Sequence, residues 1–185
     1  MPPDRHLLVD AYNVIHAWPE LRTALADHGP DAARALLATA LRPIHDAEGW
    51  RVTIVFDGKG DAITVERPGT ELTFSYVFGP SGLSADGVIE QLVANANLDP
   101  DLDRRPGRGK KEEPAEIVVA TRDNLLGESA RASGARLLTP ELLRDWADRA
   151  ASQQTRDLLT RQKRGHSTWK SATSLGDKLP KLPKA

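Results

Sequence analysis

The chain contains no cysteine. Disulfides, thiolate metal sites and a cysteine nucleophile are thereby excluded, and the composition suits a reducing, cytoplasmic setting. No apolar run approaches the roughly 20 residues that a membrane-spanning helix needs. With a hydrophobic content of 39%, a soluble protein with no membrane partner is expected. The opening MPPDRHLLVD has no basic segment followed by an apolar core, so it does not read as a secretory leader. No internal repeat is evident. Net charge is only −1, so the chain as a whole carries no strong field of one sign.

That charge is nonetheless unevenly spread. From Arg156 to Ala185 there are eight Lys or Arg and two acids, a net of +6, against 17 basic and 24 acidic residues in the rest. An acidic body with a basic tail points to a polyanionic partner, although such tails also serve solubility. At 185 residues one well-cored domain with an appendage is expected. The division expected is a body over 1–155 and a basic C-terminal extension over 156–185. That extension completes a helix and loses its pattern past about Lys163, with Lys-Leu-Pro repeats of disordered composition at the end.

What the body does contain is a set of short, Val- and Ile-rich runs bounded by turn residues, the pattern of buried parallel strands. Five strands are expected: HLLVD at 6–10, 51–56, LTFSYVF at 72–78, 116–121 and ARLL at 135–138. The segment AYNVIHAWPEL reads as a loop, followed by a helix over about 31–46 that Pro43 kinks or ends early. Ser84 is the expected N-cap of a helix carrying Asp86, Val88, Ile89, Leu92 and Val93. A charged stretch over 97–114, with Pro and Gly and no periodicity, reads as a surface loop. A helix follows from Asn124, closed by Gly134, and Thr139-Pro140 opens a last helix. This alternation defines an α/β sandwich with a mostly parallel sheet.

Aspartates mark the ends of these runs. Asp10 closes HLLVD, Asp57 closes VTIVFD, Asp123 follows IVVAT, and Asp86 opens SADGVIEQLV. In an open parallel sheet, ligands bind beyond the carboxyl ends of the strands. Four carboxylates gathered there repel one another unless a cation lies between them, and oxygen-only ligands favour Mg2+ or Mn2+. Asn13 either caps the next turn or reaches a metal-bound water or a phosphate oxygen. Thr121 is placed to orient a carboxylate or contact phosphate. Asp123 and Asn124 sit at a helix start, where anions are favoured, although an isolated Asp there is more often a plain N-cap. Glu90 shares a helical face with Asp86, and a solvent-facing role is at least as common. His16 reads as a surface histidine. The set carries more weight than any member, because its members converge only if the sheet is parallel.

The strings LLVDAYNVIHAWPEL, VTIVFDG, SADGVIEQLV, IVVATRDN and GARLLTPELL together resemble the YacP-like branch of the NYN domain family, within the PIN-like nuclease group. The resemblance spans roughly residues 6–150. It implies a PIN-like three-layer sandwich and an acidic Mg2+- or Mn2+-binding centre. It also implies endoribonuclease activity on RNA, with the ribosome as a candidate partner. Asp10, Asp57, Asp86 and Asp123 match the family's acidic positions and Asn13 its strand-end Asn; Ala11 departs from the family's usual Gly. On this reading Asp10, Asp86 and Asp123 are the metal ligands, and Asp57 is an outer ligand or general base. Asn13, Thr121 and Asn124 contact substrate. Arg104, Arg105, Arg108, Lys110 and Lys111, with the tail, are the candidate phosphate contacts, and Tyr12, Trp18 and Trp169 are candidates for base stacking. The competing class is a non-catalytic RNA- or ribosome-binding module with a structural ion. A haloacid-dehalogenase-like phosphatase needs a second Asp two residues after the first, and Tyr12 stands there. A flavodoxin-like domain needs a Gly- or hydroxyl-rich phosphate loop, which AYNVIHAW is not.

Overall fold

The computed structural model describes residues 5–98 and 116–172. Along the chain run β1 (Arg5–Asp10), α1 (Ala11–Ala17), α2 (Pro19–His28), α3 (Pro30–Glu48), β2 (Arg51–Gly60) and β3 (Thr64–Glu66). Then come β4 (Phe74–Pro80), α4 (Ala85–Leu98), β5 (Glu116–Ala120), α5 (Asn124–Ala132), β6 (Arg136–Leu138) and α6 (Pro140–Ala172). The six strands form one sheet in the order β3-β4-β2-β1-β5-β6, parallel except where β3 runs against β4.

Alternation along the central strand separates two cores. Leu7 and Val9 face one side, with Val52, Ile54, Phe56 and Phe74, and are covered by α1, α2, α3 and α6. Leu8 faces the other, with Val55, Val77, Ile117 and Val119, and is covered by α4 and α5. The result is a three-layer α/β/α sandwich whose strands are near-continuous apolar runs because both faces are buried. Since β1 pairs with β2 on one side and β5 on the other, the strand order reverses beside β1. The crevice beyond Asp10 is therefore the topological switch point where such sheets bind ligands.

The structure departs from the sequence reading in several places. Residues 11–28 are two helices rather than a loop. Asp10 caps α1, which buries Val14 and Ile15, and extended Trp18 then breaks the chain before Pro19 starts α2 in the first-turn position proline favours. Pro43 lies inside α3 and does not end it, because the buried stripe Ala33, Leu37, Leu41, Ile44 continues past it to Gly49 in the left-handed region (φ 74°). Strand β2 does not stop at Asp57 but continues to Gly60 through a register shift after Phe56. There Gly58 lies against β4 so closely that a Cβ would sit 1.5 Å from the Gly79 carbonyl oxygen. The sheet has a sixth strand, β3, whose three residues are all exposed and show no alternation. Helix α6 runs unbroken across the expected boundary at 155–156. Arg104, Arg105, Arg108, Lys110, Lys111 and residues 173–185 lie outside the described residues. Among the described residues no helix is long and apolar enough to cross a membrane.

Candidate active site

Three helices begin at the carboxyl edge of the sheet; aspartates cap α1 and α5, and α4 carries one in its first turn. Asp10, 3% exposed, ends β1 and caps α1. Its Oδ1 accepts the Asn13 backbone N–H at 3.2 Å, and its Oδ2 accepts from the Asn13 side-chain amide and from the Thr121 hydroxyl at 3.2 Å. Thr121 in turn accepts the Asp123 backbone N–H at 3.0 Å, which ties the β5–α5 junction to the β1–α1 junction. Asp123 caps α5, accepting the N–H groups of Leu125 at 2.7 Å and Leu126 at 3.0 Å on one oxygen. Asp57 is exposed, and its Oδ1 accepts the N–H of Ala85, the first residue of α4, at 2.7 Å. Ser84 accepts the Gly87 N–H at 3.4 Å in the expected capping position. Asp86, half-buried, stands in the first turn of α4.

The four carboxylates act on one another. Burial, then the charges of Asp10 and Asp123, a hydrogen bond with Asp10, and finally Asp57 raise Asp86 from the ordinary carboxylate range to about 6. Burial also raises Asp10; its bonds from Asn13 and Thr121 oppose the rise and the charge of Asp57 adds to it. Like charges gathered in this way favour protonation of one member. The positive ends of α1, α4 and α5 offset part of the repulsion. Asp123 is thus both an ordinary N-cap and a member of the cluster.

The donor set is all carboxylate oxygen, which suits a hard cation and not zinc or copper. Among the described residues, no three His, Asp or Glu side chains come close enough together to cage a metal ion. Mg2+ and, with it, Mn2+ chemistry requires less than a cage, because Mg2+ retains several waters and uses one or two carboxylates. The residues present fit such a hydrated ion. Of the other residues singled out in the sequence, Asn124 is exposed at the first position of α5, and Glu90 and His16 are exposed. Trp18 is a packing residue, 3% exposed, whose indole N–H donates to the Pro140 carbonyl at 2.8 Å. Gly58 and the Ala85 amide were not anticipated. The Gly-rich run after VTIVFD was the one available sign of the first, whereas nothing in the sequence marks the second.

A sheet covered on both faces, with aspartates converging at its switch point, has the architecture of a PIN-like sandwich. The chain belongs to the YacP-like NYN domain family, whose sequence profile matches residues 7–182. It is 34% identical over 94 residues to the protein YacP of Bacillus subtilis (strain 168), a match covering 49% of this chain and 52% of that one. Two crystal structures of Rae1 (YacP) from Bacillus subtilis share the fold. A tryptophan-to-leucine variant superposes with a TM-score of 0.62 at 23% identity, covering 86% of this chain and 84% of that one. The unsubstituted protein gives 0.58 at 24% identity, covering 93% and 91%.

Proposed function

We propose that the protein is a metal-dependent endoribonuclease that hydrolyses RNA phosphodiester bonds at the aspartate cluster. The observation that carries this reading is the convergence of Asp10, Asp57, Asp86 and Asp123 on one sheet edge, close enough for three of them to act on the fourth. Asp10, Asp86 and Asp123 would hold the ion, some of them through its bound waters. A bound Mg2+ or Mn2+ supplies charge neutralisation at the phosphoryl group, a more acidic water and stabilisation of the leaving oxygen. Asn13 and Thr121 hold the Asp10 carboxylate in place through their hydrogen bonds. Asp57 keeps one oxygen on the Ala85 amide, and we assign its other oxygen to take the proton of the attacking water. Asn124, exposed at the start of α5, is assigned to a phosphate oxygen. Arg104, Arg105, Lys110 and Lys111 and the basic extension are assigned to phosphate contacts away from the cut, with a ribosome as the RNA-rich particle such a tail suits. A cytoplasmic location goes with this reading.

The test is cleavage of labelled single-stranded and structured RNAs with Mg2+, Mn2+ or EDTA. Metal-dependent internal cleavage is expected. Metal-independent cleavage would overturn the metal assignment. RNA binding without cleavage in any metal would favour a binding module.

A further inference from the structure

Across the sheet edge from the aspartates lies a group of aromatic rings built around one guanidinium. Phe56, the residue before Asp57, stacks on Phe78 of β4 with centroids 5.3 Å apart and planes 19° apart. Arg34 of α3 lies over both rings, its guanidinium carbon 4.9 Å from each centroid. Tyr12, two residues after Asp10, meets Phe56 edge-on at 6.2 Å and 88°. It also lies 6.2 Å from the His16 ring at an interplanar angle of 27°.

These groups are unevenly covered. Phe56 is 2% exposed and belongs to the core, but Tyr12 and Phe78 remain partly open and His16 is exposed. The Arg34 side chain is 25% exposed, and its ion-pair partner Asp31, 3.3 Å away, is 90% exposed. Such a surface pair holds weakly. The Arg34 Nε is buried with no hydrogen-bond partner. Phe56 is a core residue and Tyr12 and Phe78 pack against that core, which leaves the open parts of those two rings, the exposed imidazole and the weakly paired guanidinium facing solvent.

We infer that Tyr12, His16, Arg34 and Phe78 form a stacking platform for one unpaired nucleotide of the RNA strand, next to the nucleotide whose phosphate lies at the aspartates. The inference rests on the nuclease reading and adds the substrate's state: the strand is single at this point. Alternation along β2 puts Phe56 on the α1/α3 face and Asp57 on the α4 face, with Cα atoms only about 3.8 Å apart. A strand crossing the edge thus passes from acids to rings within one residue of protein. Every base offers a π-face to an aromatic ring or guanidinium, so the platform accepts bases without reading sequence. Arg34 can stack by its plane and still donate from its edge to a phosphate oxygen. A base inside a duplex is already stacked and is not available to it.

The test uses the full-length protein, with His16→Ala and Arg34→Lys compared with wild type. Thermal unfolding first establishes that both variants fold. The probes are a labelled single-stranded oligoribonucleotide and versions with one abasic residue at each position near the cut. Fluorescence anisotropy in EDTA reads affinity, and KM in Mg2+ reads it again under cleavage. Each variant should weaken binding at least about fivefold. One abasic position should weaken wild type similarly while adding little to the variants, the non-additivity expected of groups in contact. Unchanged affinity in both variants, or abasic and protein effects that simply add, would overturn the platform. Because anisotropy does not need cleavage, a wild type that binds but never cuts defeats the nuclease reading and still leaves the platform decided.

Discussion

Asp86 is the residue on which the cluster's repulsion falls most visibly. Its carboxyl is raised to about 6 in the folded protein, against about 3.9 in an unfolded chain. The folded state therefore binds the proton more tightly, so Asp86 destabilises the metal-free protein above pH 6, and the penalty disappears as pH falls below about 4. Replacing Asp86 with Asn removes the charge and keeps an amide able to donate to Asp10. Without metal at pH 8, Asp86→Asn should be more stable than wild type by about 1 kcal/mol once solvent screening is allowed for. Paired urea titrations at pH 8 and pH 4 check this: the gain should be present in the first and absent in the second. His6 works in the opposite sense. Its ring contacts the Thr53 hydroxyl at 2.9 Å, and burial, then the charge of Arg51, lowers its pKa to about 3. A histidine held neutral in the fold but free to protonate when unfolded loses stability as pH falls below about 6.5. The loss should approach 1 kcal/mol per pH unit across this range, somewhat under the ~1.4 ceiling because the unfolded histidine is only half protonated near its own pKa. The pH dependence of unfolding in wild type should therefore flatten between pH 6.5 and 5 in His6→Gln.

Helix starts and one glycine contact set the site at the scale of elements. Helices α1 and α5 are capped by the aspartates proposed to do the chemistry, and α4 is anchored to Asp57 through Ala85. Chain direction, rather than loop conformation, thus places the carboxylates. The approach of Gly58 to Gly79 brings β2 and β4 together just past Asp57. A methyl group there has no room, because the atom it meets is backbone. Gly58→Ala should cost at least about 3 kcal/mol and reduce cleavage with it, as thermal unfolding and rate measurements on the same sample will report. Retained wild-type stability would show that β2 and β4 do not approach so closely. This scale was the least legible in the sequence. Strands β1, β2 and β5 announced themselves as Val- and Ile-rich runs, whereas α1 is only seven residues, too short for a helical period to emerge. The exposed Thr64–Glu66 strand exists only because β4 lies beside it.

At the scale of the whole molecule, strand order turns scattered aspartates into one site. Asp10 and Asp123 are far apart in sequence, and they meet because β1 and β5 are neighbours at the switch point. Their positions at the ends of apolar runs were readable from the sequence, since a strand end followed by a helix start is a local pattern. The links among them were not. The Thr121 hydroxyl that joins Asp10 to the Asp123 amide and the Asp57 contact with Ala85 depend on tertiary neighbours that no local pattern encodes. The central claim is that the charges of this cluster serve hydrolysis rather than folding. Its most direct test is Asp10→Asn, assayed for RNA cleavage in Mg2+ and Mn2+ and for thermal unfolding in EDTA. Removing one of four crowded carboxylates relieves repulsion, which offsets the hydrogen bonds that Oδ2 no longer accepts from Asn13 and Thr121, so the variant should remain folded in EDTA and lose cleavage by at least about a hundredfold. A folded Asp10→Asn that cuts RNA at the wild-type rate would contradict the account.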